Sequence, residues 1–356
     1  MKILLLNQQH RYTGIGSYID TMEEFLNSCN IDHKIVTLSY DNKLDNYYGD
    51  VYRGFDFPIY KQYLNPVFSA LVYRNVKRYV KKLKESGYIV HYGSNSITPI
   101  TNYDVVTLHD IGFRESYRDA PTYKQLGQYY GYFFIFKKFL KFNNIIVLTK
   151  VLKDILIENY NYSGNVYVVP HFYNPIFRKL DFKELTFNKI QLRKELNLPT
   201  NKKLILSIST DKPNKNIAIL HDVLNLLDDS FKLVRVGPKI GKSITFTNLN
   251  HEILNKLYNA CDILVFPSID EGFGTPMIEA FATGLPVVAS DIPVFREIGQ
   301  DAPMYVDNRS PESIANGIIE AFKNKEELSR NGLEKSKLYT LPVFRDRMIK
   351  VYKNIK

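Results

Sequence analysis

The chain has no tryptophan and only two cysteines among 356 residues. Cys29 and Cys261 cannot form a disulfide framework in a chain this long. Their apolar neighbourhoods suit buried free thiols in a reducing compartment. No apolar run approaches the roughly 20 residues that a membrane span requires. Met1–Leu6 is too short for the apolar region of a signal peptide, and polar residues follow at once. The expected location is therefore cytoplasmic, with peripheral contact on an anionic inner membrane face as a further option. Acid is scarcer than base: 37 Asp and Glu stand against 47 Lys and Arg, a net charge of +10. Such a balance favours nucleotides, anionic lipid or nucleic acid as partners. The charge is spread along the chain and no recognition motif accompanies it, so nucleic acid is not expected. No internal repeat or low-complexity tract stands out. What remains is an ordinary soluble balance, 45% hydrophobic and 24% charged, in a chain long enough for two domains.

Short apolar runs alternate with helical patterns in both halves, which predicts parallel sheets in an α/β protein. Lys2–Asn7, Lys34–Leu38, Ile89–Tyr92, Asp104–Leu108, Asn144–Leu148 and Asn165–Val169 read as strands. Ser17–Ser28, Phe68–Lys84 and Lys150–Tyr160 read as helices, and the tyrosine-rich stretch Ser39–Pro66 as loops. From Phe172 to Lys203 the strand pattern lapses, as in a connection between domains. A second sheet begins at Lys203. The predicted organisation is a first Rossmann-like domain over residues 1–172, a connection over 173–202, a second Rossmann-like domain over 203–338, and a last helix from 339 to 356. Asp291–Glu297 reads as a loop with Arg296 and Glu297 structural.

The stretch Ser268-Ile269-Asp270-Glu271-Gly272-Phe273-Gly274-Thr275-Pro276-Met277-Ile278-Glu279-Ala280 organises the second half. The apolar run Asp262–Phe266 stops at Pro267 as a buried strand would, and Gly284 closes the following helix. Thr275 suits the N-cap and Pro276 the first helical position. Glu279 falls one residue too late for a capping box and has no obvious local partner. Gly272 and Gly274 let the backbone approach a ligand, and the first amides of the helix favour an anion such as a diphosphate. The two carboxylates repel phosphate but suit hydroxyls of a sugar or ribose. The plain alternative is a capped helix with two solvated glutamates.

This stretch resembles the Glu-x7-Glu segment of retaining, nucleotide-sugar-dependent glycosyltransferases of the GT-B fold, in their mannosyltransferase-like branch. The similarity continues through Gly284-Leu285-Pro286-Val287-Val288-Ala289-Ser290 and Arg296-Glu297-Ile298-Gly299. The resemblance implies two doubly wound domains facing across a cleft, with the last helix crossing back to the first domain. It implies a hexosyltransferase, with mannose or glucose moved from a nucleotide diphosphate sugar to a glycan or lipid-linked hydroxyl. It further implies that Glu279 binds the ribose, that Glu271 sits by the donor sugar, and that the amides of Phe273, Gly274 and Thr275 face sugar and phosphates. By the same resemblance, residues around Phe246 flank the nucleobase.

Three more elements join the candidate site. His109-Asp110 follows a predicted strand and resembles the family's His-Asp element, whose histidine contacts the transferred sugar; a structural histidine is the plain alternative. Gly14-Ile15-Gly16 reads as a glycine loop opening onto a helix, able to face a phosphate. It resembles the family's first loop, which lies opposite the donor. In the turn Ser209–Asn216, Lys212 and Lys215 could neutralise a leaving diphosphate. The family has an arginine and a lysine there, whereas this chain places Asn214 at the arginine position. No Asp-x-Asp motif occupies a donor loop, so no metal and no cofactor beyond the donor is expected. The basic face of Phe68–Lys84 and the aromatic segment Tyr117–Lys141 suit a solvated face and a core helix; contact with a membrane or a lipid-linked acceptor is the alternative. A sugar-nucleotide epimerase of the same architecture, or a nucleic-acid binder, remains a different class of reading. The first would convert free sugar nucleotide without an acceptor, and the second would show steep salt dependence.

Overall fold

In the computed structural model, the described residues are 1–7, 14–39, 50–53, 66–93, 103–111, 136–180 and 188–355. Two compact units emerge, one holding most of the chain up to 171 with residues 345–356, the other holding 172–344.

The first unit is built on seven strands: β1 Lys2–Asn7, β2 Asp32–Ser39, β3 Asp50–Arg53, β4 Tyr88–Tyr92, β5 Val105–Leu108, β6 Asn144–Val147 and β7 Asn165–Val168. They pair in parallel in the order β3-β2-β1-β4-β5-β6-β7. Ile3 to Asn7 and all of β4 and β5 are buried, which is why these strands read as continuous apolar runs. Helices α1 Gly14–Ser28, α2 Pro66–Glu85 and α3 Lys150–Tyr160 accompany the sheet. Thr149 caps α3, its hydroxyl accepting from the Leu152 amide at 3.2 Å.

Three sequence expectations change here. Gly14 and Gly16 are not in a loop: they form the first turn of α1. The buried stripe Ile19, Met22, Phe25 and Leu26 anchors that helix, and packing of this kind overrides a cost of about 1 kcal/mol for each glycine. Ser39–Pro66 is not all loop, because Asp50–Arg53 pairs with Val36–Ser39 at the sheet edge. Four residues are too few to show a period. Cys29 is half-buried rather than buried, while Cys261 is buried as expected. In the segment Tyr117–Lys141, residues 117–135 lie outside the described residues. Phe136 and Phe139 are core.

The second unit carries six parallel strands: β8 Lys203–Ile208, β9 Phe231–Val236, β10 Ile244–Phe246, β11 Ile263–Phe266, β12 Val287–Ser290 and β13 Met304–Val306. Their order is β10-β9-β8-β11-β12-β13. Its helices, in chain order, are α4 Lys189–Glu195, α5 Ile219–Leu226, α6 His251–Ala260, α7 Thr275–Thr283, α8 Pro293–Gly299, α9 Pro311–Lys323 and α10 Lys325–Ser336. A core of Ile205, Val223, Leu233, Ile263, Val265, Val288, Ile314 and Ile318 lies on one side of the sheet. A final helix, α11, runs Leu341–Ile355. Among the described residues no helix is long and apolar enough to cross a membrane.

The predicted connection is partly built into this unit. Asn188 and Gln191 form a capping box at α4, and Lys189 and Arg193 both bond Asp262 at the start of β11, at 2.7 and 2.6 Å. Burial would raise the Asp262 pKa, but the two cations and the Leu204 amide outweigh it and hold it low. The expected loop Asp291–Glu297 is largely helix α8. Pro293 supplies a preset φ in its first turn, and Val294, Phe295 and Ile298 are buried. Arg296 is structural as expected: it pairs with Asp291 and lies 3.8 Å over the Tyr305 ring.

In both sheets the chain leaves a central strand in opposite directions, between β1 and β4 and between β8 and β11. Doubly wound sheets bind ligands outside the carboxyl ends of the strands at such switch points.

Candidate functional site

At the switch point of the second sheet, the turn after β8 meets the loop after β11. The Lys215 ammonium donates to Glu271 Oε1 at 2.6 Å, and the Ser268 hydroxyl donates to the same oxygen at 2.8 Å. Glu271 Oε2 has no protein partner among the described residues. Asparagines sew the two loops together. The Ile269 amide donates to the Asn214 carbonyl at 2.8 Å, and Asn214 Nδ2 donates to the Asp270 carbonyl at 3.1 Å. Asn216 Nδ2 bonds the Asn308 carbonyl at 2.7 Å, and Asn308 Nδ2 the Ser268 carbonyl at 3.1 Å. Asn214 therefore acts as a clamp on the glutamate loop. Lys212 is exposed at the start of the 3-10 turn Pro213–Lys215.

The entry to α7 differs by one residue from the sequence expectation. The cap is Gly274, not Thr275, and Pro276 sits at the second helical position. Gly274 has φ +104°, and a Cβ there would lie 2.9 Å from the Phe295 ring. Only glycine satisfies both the left-handed backbone and that approach, so a side-chain cap is ruled out at this position. Phe273 is buried with its ring edge-on to Tyr339, 5.8 Å away.

Glu279 has a partner that the sequence concealed. The Tyr258 hydroxyl of α6, 21 residues upstream, donates to Glu279 Oε2 at 2.6 Å. Burial raises the Glu279 pKa to about 7, and the tyrosine bond only partly offsets it. Glu279 Oε1 has no protein partner among the described residues. Beside the same switch point lies a second residue that was not anticipated. Arg235, near the end of β9, is fully buried and bonds Ser207, Ser209 and the Pro238 carbonyl. An arginine inside an apolar strand just before Gly237-Pro238 was the available signal.

The first unit contains His109, Gly14 and Gly16; the remaining predicted site residues belong to the second. His109 follows β5 and is buried. Its Nε2–H donates to the Gly93 carbonyl at 2.7 Å, just past β4, so Nδ1 is the unprotonated nitrogen of the neutral ring. Burial lowers its pKa, more than the Gly93 bond and Asp110 raise it. Tyr18 stands edge-on to both His109 and His171, with ring centres 4.7 and 4.8 Å away, and the two imidazoles stack at 5.6 Å. Beneath them, Tyr18 and His91 each bond the Thr107 hydroxyl, at 2.9 and 2.8 Å, and Tyr352 bonds His91 Nδ1 at 2.7 Å. Burial pushes the His91 pKa down to about 3. His171 and the polar chain to Tyr352 join residues far apart in sequence, and no local pattern marks them. Among the described residues, no three His, Cys, Asp or Glu side chains are grouped to hold a metal.

Residues 188–337 match the family described as Glycosyl transferases group 1. The O-antigen chain mannosyltransferase RfbU of Salmonella typhimurium is 28% identical over 246 residues, 65% of this chain and 63% of RfbU. The chain thus spans less than two thirds of the length of the curated relatives it matches. Sucrose-phosphate synthase from Thermosynechococcus elongatus superimposes with a TM-score of 0.75 at 18% identity, covering 100% of this chain and 99% of the other. HepE from Anabaena, solved in complex with UDP and glucose, gives 0.72 at 16% identity over 99% and 100% of the two chains. Residues 188–337 thus carry the similarity to group 1 glycosyltransferases, and the chain has the GT-B fold.

Proposed function

We propose that this protein is a retaining hexosyltransferase that needs no metal. It moves a hexose from a nucleotide diphosphate sugar to a hydroxyl of a glycan or lipid-linked acceptor. One observation carries the reading. Glu271 and Glu279 flank the N-terminus of α7, each held through one carboxylate oxygen while the other has no protein partner among the described residues. Two anchored acceptors around an anion-favouring helix end match a ligand that presents hydroxyls on both sides of a diphosphate.

In this reading Glu279 Oε1 accepts from the ribose and Glu271 Oε2 from the hexose. The amides of Phe273, Gly274 and Thr275 face the sugar and phosphates. Lys215, with Lys212, stabilises the leaving diphosphate, a task that requires the diphosphate to share Lys215 with Glu271. Glu271 positions the sugar and is not a nucleophile. The bond from the anomeric carbon to the leaving phosphate breaks as the acceptor oxygen bonds on the same face, and the acceptor proton passes to that phosphate oxygen. His109, neutral with its Nε2–H on the Gly93 carbonyl, is proposed to contact the transferred sugar. RfbU, a mannosyltransferase by name, favours mannose; HepE, solved with UDP and glucose, keeps glucose in view. Arg74, Lys77, Arg78, Lys81, Lys82 and Lys84 are exposed on α2 and suit peripheral contact with an anionic membrane at the cytoplasmic face.

The test is transfer from GDP-mannose and UDP-glucose to lipid-linked glycan in chelator, with the anomeric configuration of the product read by NMR. An α-linked product from an α-linked donor supports the reading. An inverted product, or activity restored only by a divalent cation, contradicts it.

A further inference from the structure

We infer that Arg235 is a positioning residue for a nucleoside diphosphate, its buried guanidinium supplying uncompensated positive charge beneath the turn that carries Lys212 and Lys215. This rests on the reading of that turn as the donor's phosphate site. The guanidinium is 0% exposed. Its Nε donates to the Pro238 carbonyl at 3.3 Å, Nη1 to the Ser207 and Ser209 hydroxyls at 2.8 and 3.2 Å, and Nη2 to the Ser209 carbonyl at 2.9 Å. Every one of these acceptors is neutral. Among the described residues no carboxylate pairs with Arg235.

The other buried arginine among the described residues of this unit behaves differently. Arg193 is bonded to Asp262 at 2.6 Å, as buried charges generally are. Lys215 is likewise compensated, by Glu271. Arg235 alone among these three has no counter-charge, although burial lowers its pKa only to about 10 and leaves it charged at neutral pH. An unpaired charge in a low-dielectric interior is costly, and an anion bound close by relieves that cost.

The backbone is shaped around this cation. Gly237 has φ +129°, and a Cβ there would lie 2.1 Å from the Ser209 carbonyl oxygen and 3.1 Å from Arg235 Nη2. Only glycine lets the turn after β9 close over the guanidinium. Ser209 is the first residue of the turn that ends at Lys215, so Arg235 both fixes the origin of that turn and charges it. Its role is exerted through Ser209, not by contact with the reacting atoms.

The experiment is calorimetric titration of the full chain with GDP and UDP, and with guanosine and uridine at millimolar concentration. Ser207→Asp gives Arg235 an internal counter-ion while keeping the guanidinium. Arg235→Gln removes the charge, and Arg235→Lys keeps it without the fork. The expected result is about a tenfold or greater loss of diphosphate affinity in Ser207→Asp and Arg235→Gln, with nucleoside affinity within about threefold of wild type. Arg235→Lys keeps the charge but not the fork that holds Ser209, so its diphosphate affinity falls less than in Arg235→Gln, with nucleoside affinity within about threefold. Diphosphate and nucleoside affinities that fall together would reduce Arg235 to a structural staple. An unchanged diphosphate affinity in Ser207→Asp overturns the inference too, and this variant decides if Arg235→Gln does not fold. A wild-type chain that binds no nucleoside diphosphate instead overturns the donor-site reading itself.

Discussion

At the carboxyl end of the first sheet, His91, His109 and His171 are buried beside Tyr18 and Thr107. At the end of the second, Lys215, Glu271, Arg235 and Glu279 gather around two loops. The first set is neutral: burial lowers the pKa of all three histidines. The second carries charge and is held by the Lys215–Glu271 ion pair and by hydrogen bonds, with Arg235 on neutral acceptors. One parallel-sheet architecture thus presents two chemistries. Neutral buried rings offer shape and directed polar atoms, whereas charged groups with uncommitted carboxylate oxygens offer an electrostatic seat for a polar, anionic ligand.

Removing a counter-charge from the second unit should have the largest effect. Asp262→Asn leaves Arg193 buried without its carboxylate and should cost roughly 3–5 kcal/mol in denaturant unfolding. A loss below about 1 kcal/mol, the value of an exposed pair, would show that Arg193 finds water instead.

Next comes Lys215→Ala. Turnover should fall roughly 10²–10³-fold, since one stabilising donor at a leaving group is worth that much, and the melting temperature should fall as well because Glu271 keeps only the Ser268 hydroxyl. His109→Ala should lower kcat by about tenfold, the value of one hydrogen bond to the sugar. Equal losses at the two positions would erase the contrast between charged and neutral sites.

The pH dependence of stability should separate the two units by sign. Glu279 has a raised pKa, so the folded state binds its proton more tightly than the unfolded chain. The stability it contributes is full below the unfolded value of about 4.5 and is lost as pH rises through about 7. Glu279→Gln should therefore stabilise the protein above pH 7 by roughly 1–3 kcal/mol. His91 has the opposite sense. Its lowered pKa makes stability full above about 6.5 and lost as pH falls toward 3. His91→Asn should flatten that acid limb, and an unchanged limb would place the acid sensitivity elsewhere.

The smallest effect is expected at Tyr352→Phe. It deletes the hydroxyl bonded to His91 and should cost about 1 kcal/mol. No measurable change would mean that water replaces the hydroxyl.

Much of this was legible in the sequence, unevenly. The stretch 262–284 could be read because strand, glycines and helix follow within a few residues, each with its own local signature. Its cap was misplaced by one position because the left-handed backbone of Gly274 is set by Phe295, which is distant in sequence. Strands β3 and β13 are short edge strands of four and three residues, too brief for a period. Gly14 and Gly16 read as a loop because local propensity disfavours them in a helix, whereas the buried stripe of α1 decides otherwise. Tyr258 with Glu279, His109 with His171, and Arg235 with Ser209 are tertiary meetings; the residues were visible but their partners were not.

The most direct measurement is a thermal-shift panel of GDP-, UDP-, ADP- and dTDP-sugars in the absence of metal. A ligand at about 100 times its Kd adds about 2.7 kcal/mol of stability. One base should raise the midpoint, and Glu279→Ala should abolish that rise. No shift with any of the four, or a shift that survives Glu279→Ala undiminished, would contradict a donor site built on α7.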